Sequence, residues 1–475
     1  MDYEFLLNKE DRRSYNLLKY LERSVTLTES LSKLQEELEL SPFLVKKTID
    51  NLKSDISDWD LSESFKLSTE NVEIILEING DYTSNYVLSK YIKQSLSTAL
   101  LISIFSREFT SLEDFMEEHH VSYSVAYKTI KRLQKELNYY NITLEKGKMI
   151  GSRTNILFFM YHLFLLINPS FEDVYEQKII SEVEQIMDSL QQMFVFSNYE
   201  KQKLFHCLAL GKIENTREEI NIKDEIVHFF DEAETLRLKQ TLSLRSINYT
   251  YYLLAWLYSY NKLDDSYINR NEDSKIQLLN QLFVNKVEKN FTRLAPAIKS
   301  ELLKGLERVH FTSKYYPIEK FNRIEIDTQF FYQTYPEFYL FLLEYTKNII
   351  DEFSDFSRNK SILFFNYLML LIHTVPVDHL KVPVKIGIDF SYGELYNEFI
   401  KKNLAMYVNL NVAIIDPNLH HEADIVITNM NDVYDSESTN VIVWLDPPRV
   451  VDWANLTKKI LELQTGDEAD LIDSV

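Results

Sequence analysis

The chain has 475 residues, 45% of them apolar, one cysteine and a formal net charge of −21. At ~100–200 residues per domain, that length predicts two to four domains. The lone Cys207 excludes a disulfide framework or a cysteine-rich zinc site and fits a reducing cytosol, while the acidity excludes indiscriminate nucleic-acid binding, so any contact with DNA needs a local basic face. Glycine is scarce, at eight residues, and the sequence holds none of GxGxxG, GxxxxGKS/T, HExxH, GxSxG or CxxC. Neither an enzyme nor a cofactor site is therefore expected. The opening residues MDYEFLLNKEDRR lack the pattern of a signal peptide. The longest apolar run, Ile156–Ile167, falls short of the ~20 residues of a membrane span. A soluble cytoplasmic protein is expected.

Three helices open the chain. Arg12–Arg23 carries Tyr15, Leu18 and Leu21 as its apolar positions, and Leu27–Leu38 follows with Thr28 as a candidate cap. Ser41–Ile56 is capped by Ser41 and has Pro42 at its first position, where proline is tolerated. Its apolar stripe is Val45, Ile49, Leu52 and Ile56, leaving Lys46, Lys47, Asn51 and Lys53 off it beside Asp50 and Asp55. Lys66–Gly80 alternates like a wing hairpin, and Tyr86–Phe105 reads as one linking helix.

A short helix at Ser111–Val121 then leads into Ser122–Leu137, whose stripe is Val125, Ile130, Leu133 and Leu137 and whose candidate cap is Ser122. Lys128, Lys131, Arg132 and Lys135 lie opposite the stripe, and the hairpin Ile142–Gly151 has Lys146, Gly147 and Lys148 at its tip. From Lys128 to Lys148 there are six basic residues against two acidic ones. Helix, tight turn, basic helix and wing form the winged helix-turn-helix plan, in which the second helix enters the DNA major groove. The competing reading is an ordinary solvated helix face. Lys47-Thr48-Ile49 matches Lys128-Thr129-Ile130, so the plan occurs twice.

From 155 to 373 the pattern is helical and aromatic, over 155–167, 174–194, 199–213, 218–231, 246–261, 273–288, 295–309, 328–353 and 359–373, with a polar break at 262–272. Two helical domains of similar size are expected, with their Tyr and Phe rings in the core. After Pro383 the character changes to apolar strands at Val382–Phe390, Val408–Ile415, Asp424–Thr428 and Asn440–Leu445, with helices at Glu394–Leu404 and Leu456–Leu463. Strands alternating with helices predict a small parallel α/β sheet. The adjacent pairs His119-His120 and His420-His421 do not share a helix face, so no metal site is expected.

The order of parts, the basic helix at 122–137, the YPEFY stretch at 335–339 and VKIGIDFSYG with ADIVITN together resemble the Mga/AtxA family of virulence transcription regulators. The resemblance implies a multi-domain, mainly α chain. Its parts would be a first winged helix-turn-helix unit at 1–82, a second, main DNA-binding unit at 83–152, helical regulatory domains at 153–265 and 266–378, and an EIIB-like α/β domain at 379–475. It implies double-stranded promoter DNA and RNA polymerase as partners, activation of transcription, a homodimer formed through the C-terminal domain, and regulation by the phosphocarrier of the sugar phosphotransferase system.

Phosphotransfer calls for a nucleophilic histidine. His373 lies within two residues of the family's second site, and His206 lies in the helix similar to its first, where the register puts Gln202 at the modified position. The EIIB nucleophile falls near Phe390, so phosphocysteine chemistry is excluded. The DNA-contact candidates are Ser122, Tyr123, Ser124, Tyr127, Lys128, Lys131, Arg132, Lys146 and Lys148, then Lys46, Lys47, Asn51 and Lys53 in the first unit; Tyr127 could instead be core. Residues near the helix start reach base edges, and the later cations meet phosphates. The alternative function is a phosphotransferase-linked signalling protein acting through protein or RNA contacts.

Overall fold

A computed structural model describes residues 3–465 except 25, 71, 168–170, 218–219, 221, 270–273, 292, 317–330, 333–334, 349–352, 354–359, 376–382, 408–411, 417–418, 420–421 and 431–439. The His420-His421 pair and the ends of the expected 328–353 helix and 408–415 strand lie outside the described residues. The chain is mainly helical with small sheets and forms two compact bodies, one up to Arg270 and one from Asn271.

In the first body, α1 (Lys9–Arg23), β1 (Thr28–Ser30), α2 (Leu31–Glu37) and α3 (Pro42–Asp58) precede the hairpin of β2 (Phe65–Glu70) and β3 (Glu73–Ile78). The sheet is antiparallel in the order β1-β3-β2. Thr28, expected to cap a helix, is instead a strand residue opposite Ile75. The cap is Ser30, whose side chain accepts from the Lys33 amide. The expected linking helix is two helices, α4 (Ser84–Gln94) and α5 (Leu96–Ser106), because Ser95 is extended and its Oγ accepts from the Thr98 amide at 3.1 Å. Next come α6 (Leu112–Glu118), α7 (Tyr123–Leu137), and the two-stranded hairpin of β4 (Ile142–Glu145) and β5 (Lys148–Gly151).

The rest of this body is helical: α8 (Arg153–Ile167), α9 (Phe171–Val174), α10 (Gln177–Met193), α11 (Asn198–Arg217), α12 (Asp224–Phe229), α13 (Glu232–Thr241) and α14 (Ile247–Ser259). α13 escapes the periodicity reading because EAETLRLKQT is polar; Asp231 starts it by accepting from the Glu234 amide. α8 and α14 are buried on nearly every face, as their apolar run predicts. Gly211 lets α11 approach α14: a Cβ there would sit 2.8 Å from both the Tyr249 and the Tyr252 ring.

The second body holds α15 (Ser274–Asn290), α16 (Pro296–Tyr315), α17 (Pro336–Asn348) and α18 (Lys360–Thr374), packed around Phe283, Tyr345 and Tyr367. It continues with β6 (Val384–Asp389), α19 (Glu394–Tyr407), β7 (Val412–Ile414), β8 (Ile425–Thr428), β9 (Asn440–Val443) and α20 (Val450–Thr465). The sheet is parallel throughout, in the order β7-β6-β8-β9. Its core joins Ile386, Ile388, Ile427 and Trp444 to Leu404, Leu456 and Ile460 of the two helices.

Two histidines belong to these cores. His206 is fully buried, with Nδ1 2.8 Å from the Tyr175 hydroxyl. His310 is fully buried between Asn280 Oδ1 at 2.5 Å and the Tyr367 hydroxyl at 2.6 Å. Burial disfavours the imidazolium and pushes His206 down to about 4 and His310 down to about 3.

Two outcomes are expected. Gly211→Ala forces the Tyr249 and Tyr252 rings aside and should cost about 1–3 kcal/mol. Urea unfolding measures it, and an unchanged midpoint contradicts the close approach. As pH falls below ~6.5, the unfolded chain protonates both histidines while the folded chain keeps them neutral, so stability should fall with falling pH by up to ~1.4 kcal/mol per unit for each. The window runs down to about 4 for His206 and about 3 for His310. Urea midpoints at several pH values between 6.5 and 5 read the slope, and His310→Gln should flatten it; a flat wild-type curve contradicts the neutral, buried state.

Candidate nucleic-acid interface

Ser111 starts α6 by accepting from the Asp114 amide at 3.0 Å. Phe115 buries the helix against its neighbours, and His120, at φ 53°, turns the chain into α7. α7 buries Ala126, Thr129, Leu133 and Leu137. This corrects the expected stripe: Ile130 is half-buried and Val125 is 47% exposed. α3 buries the matching positions Val45, Thr48, Leu52 and Ile56, so both winged units share one packing register.

Ser122, Tyr123, Ser124, Tyr127, Lys128, Lys131 and Lys135 are exposed. Ser122 sits at the cap position but its side chain makes no capping bond. Tyr127 is outside the core: its ring stacks on that of Tyr123, with centroids 5.8 Å apart and planes 14° apart. Lys131 Nζ lies over the Tyr127 ring at 5.6 Å, a contact worth ~0.5–1 kcal/mol when exposed. Lys128, Lys131 and Lys135 form no ion pair among the described residues, so their charge is available to an anion.

Arg132 does not belong to this face. Its guanidinium turns inward, donating to the Leu7 carbonyl at 2.5 Å, the Leu6 carbonyl at 3.3 Å and Ser97 Oγ at 2.7 Å. The contact candidate is a positioning residue that ties α7 to α5 and to a short 3-10 turn at Glu4–Leu6. Sequence reasoning passed over the buried segment Tyr3–Leu7, whose only signal is its density of apolar side chains.

At the wing, Lys146 (φ 48°) and Gly147 (φ 70°) make the turn, and a Cβ on Gly147 would lie 2.6 Å from the Phe109 ring. Backbone conformation and space therefore both select glycine. Lys146 and Lys148 flank it, both exposed.

The first unit places its candidates differently. Lys46 is exposed, Asn51 and Lys53 are half-buried, and Lys47 is neutralised by Glu10 at 2.6 Å. Phe43 is exposed beside them. Asp55 faces inward and accepts from the Tyr91 hydroxyl. Residues 1–82 hold 10 basic and 18 acidic residues, whereas 83–152 hold 9 and 7. The structure gathers the basic candidates on the second unit and leaves the first acidic.

Of the phosphorylation candidates, His206 is a core residue out of reach of a protein partner. His373 is exposed at the end of α18, with Nε2 3.6 Å from Glu301 Oε1.

Among the described residues no cluster suited to a metal ion occurs, and no helix is long and apolar enough to cross a membrane. No curated protein matches the chain. Residues 81–164, which span α4 to α8 and hold the whole exposed face of α7 and its wing, match the family model of the Mga helix-turn-helix domain. The chain thus carries a helix-turn-helix domain of the Mga type over this segment.

Proposed function

We propose that the chain is a transcription activator that binds promoter DNA through α7 and the β4–β5 wing and works with RNA polymerase as a homodimer. The observation that carries the reading is the outward face of α7, where a tyrosine pair and three unpaired lysines lie within the matched helix-turn-helix segment. Tyr123 and Ser124, at the helix start, are suited to base edges, while Lys128, Lys131, Lys135, Lys146 and Lys148 are suited to phosphates. No catalytic step is assigned to the chain.

We assign dimerisation to the C-terminal α/β part, in keeping with its likeness to EIIB. The support is apolar surface beside β6 and along α19: Tyr392, Leu395 at 88% exposure and Phe399, with Leu445 and Val451 beyond β9. Exposed apolar area of this kind marks an interaction surface. By that likeness the position of the EIIB nucleophile falls near Phe390, where the sequence IDFSYG has no cysteine. For the phosphocarrier, His373 is the candidate histidine whose exposure supports modification.

Fluorescence anisotropy on AT-rich and GC-rich duplexes across a salt series tests the DNA reading. Five lysine–phosphate contacts in each half of the homodimer predict a log–log slope of about −9. Lys128→Ala with Lys131→Ala should weaken binding more than about tenfold and reduce the slope by about 3.6, without unfolding. Arg132→Ala should weaken binding together with stability. Unchanged binding by the double lysine variant would overturn the assignment. Separately, Leu395→Asp with Phe399→Asp should convert a dimer into a monomer in sedimentation; a wild-type monomer contradicts the interface.

A further inference from the structure

A cavity of about 1250 Å³ opens within the first body, where α5 of the helix-turn-helix domain meets α10, α11 and the turn between α13 and α14. Ile102 and Phe105 of α5 line it together with Ile179 and Ile186 of α10, the apolar part of a lining that is more polar than apolar. Three cations, Lys178, Lys212 and Arg245, also line it.

Their arrangement is unbalanced. Lys212 pairs with Glu182, a carboxylate of the same lining. Lys178 and Arg245 are exposed and have no ion pair among the described residues. All three surround one carboxyl: Lys212 first, then Lys178 and Arg245, draw Glu182 below the ordinary range. The remaining lining carboxylates, Glu108, Glu172 and Glu176, are exposed. With Glu182 the lining carries four carboxylates against three cations, so an anion is held there only by direct contact with the cations and not by the field of the whole cavity. Asn215 Oδ1, also of the lining, is buried without a hydrogen-bond partner among the described residues.

We propose that this cavity binds a small organic anion with an apolar body, its carboxylate or phosphate on Lys178, Lys212 and Arg245 and its apolar part on Ile102, Phe105, Ile179 and Ile186. The volume is more than sufficient for such a molecule.

The position gives the site a consequence for DNA. α5 carries Ile102 and Phe105 on the cavity wall and Ser97, which holds Arg132 of α7, nearer its start. Phe105 meets Phe164, which meets Tyr175, and all three line the cavity. An occupant thus touches the helix that braces the recognition helix. A ligand shifts another affinity only through a difference between two states, and the effect is reciprocal. This coupling rests on the DNA reading proposed above; the binding itself does not.

The test uses the intact chain and the probe 8-anilinonaphthalene-1-sulfonate, an apolar anion whose fluorescence rises on burial. Saturable binding is expected. Arg245→Ala and Lys178→Ala should each weaken it about threefold or more, and Glu182→Gln, which frees the cations, should tighten it. Thermal midpoints of the exposed Arg245 and Lys178 variants should match the wild type. Uncharged N-phenyl-1-naphthylamine should bind more weakly and ignore all three changes. Benzoate or phenyl phosphate should displace the probe, telling carboxylate from phosphate, and benzamide should not. Probe affinity unmoved by all three substitutions, or competition by benzamide equal to that of the anions, overturns the site. With the site supported and duplex binding established, a saturating probe should change duplex affinity about fivefold or more. Saturating duplex should then change probe affinity by the same factor; no change in either direction overturns the coupling and leaves both separate binding results standing.

Discussion

Arg132 reaches inward from α7 to the carbonyls of Leu6 and Leu7 and to Ser97, and the placement of α7 depends on that contact. A half-buried guanidinium is costly unless its donors are met; here Nη1 and Nη2 donate, at ~1.5–3 kcal/mol for each hydrogen bond to a charged group, while Nε is buried without a partner among the described residues. The planar fork serves three acceptors at once, which the point charge of a lysine would not. One side chain therefore joins a turn at the start of the chain, a supporting helix and the helix that presents Tyr123, Tyr127 and the lysines. It also decides what remains outside. With Arg132 withdrawn, the outward cations of α7 are all lysines, which suit phosphates better than the paired acceptors of guanine. Sequence preference then falls to the tyrosine pair, the serines at the helix start and the shape of the duplex.

The two winged units show how one packing solution carries opposite surfaces. Val45, Thr48, Leu52 and Ile56 fill the places of Ala126, Thr129, Leu133 and Leu137. Off that stripe, Asp50 stands where Lys131 stands and Ser54 where Lys135 stands. Lys47 matches Lys128, yet its charge is spent on Glu10. The first wing has Glu70 and Glu73 around its turn, where the second has Lys146 and Lys148. Buried positions are held by volume, and exposed ones are not, so charge diverges while register persists.

Much of this was legible beforehand, for physical reasons. Helical and alternating periods expose α3, α7, both wings and the parallel strands, because each has one face against a core. What failed were decisions made by tertiary partners. Thr28 is a good cap residue, but strand β3 offered it a place in a sheet. Arg132 looked like a surface cation because its acceptors, the Leu6 and Leu7 carbonyls, are distant in sequence and carry no side-chain signature. His206 looked reactive in a string of mixed polarity, yet Phe164, Phe171 and Phe205 enclose it. Spacing identifies a face; which neighbour covers that face is settled by parts of the chain it cannot see.

The excess acidity sets the terms on which such a protein meets DNA. A net charge of −21 repels a duplex at long range, but in ~0.1 M salt that field decays within about 10 Å. Attraction must then come from charges that touch the phosphates, for which the lysines of α7 and the wing are available, since none of them forms an ion pair among the described residues. The acidic first unit lowers the gain from non-specific contact, which depends on phosphate charge alone. A few well-held contacts count for more against that background than many diffuse ones. On the DNA reading proposed above, firm placement of α7 by Arg132 counts for more than additional positive charge, because a few held contacts must act against the repulsion of the acidic chain.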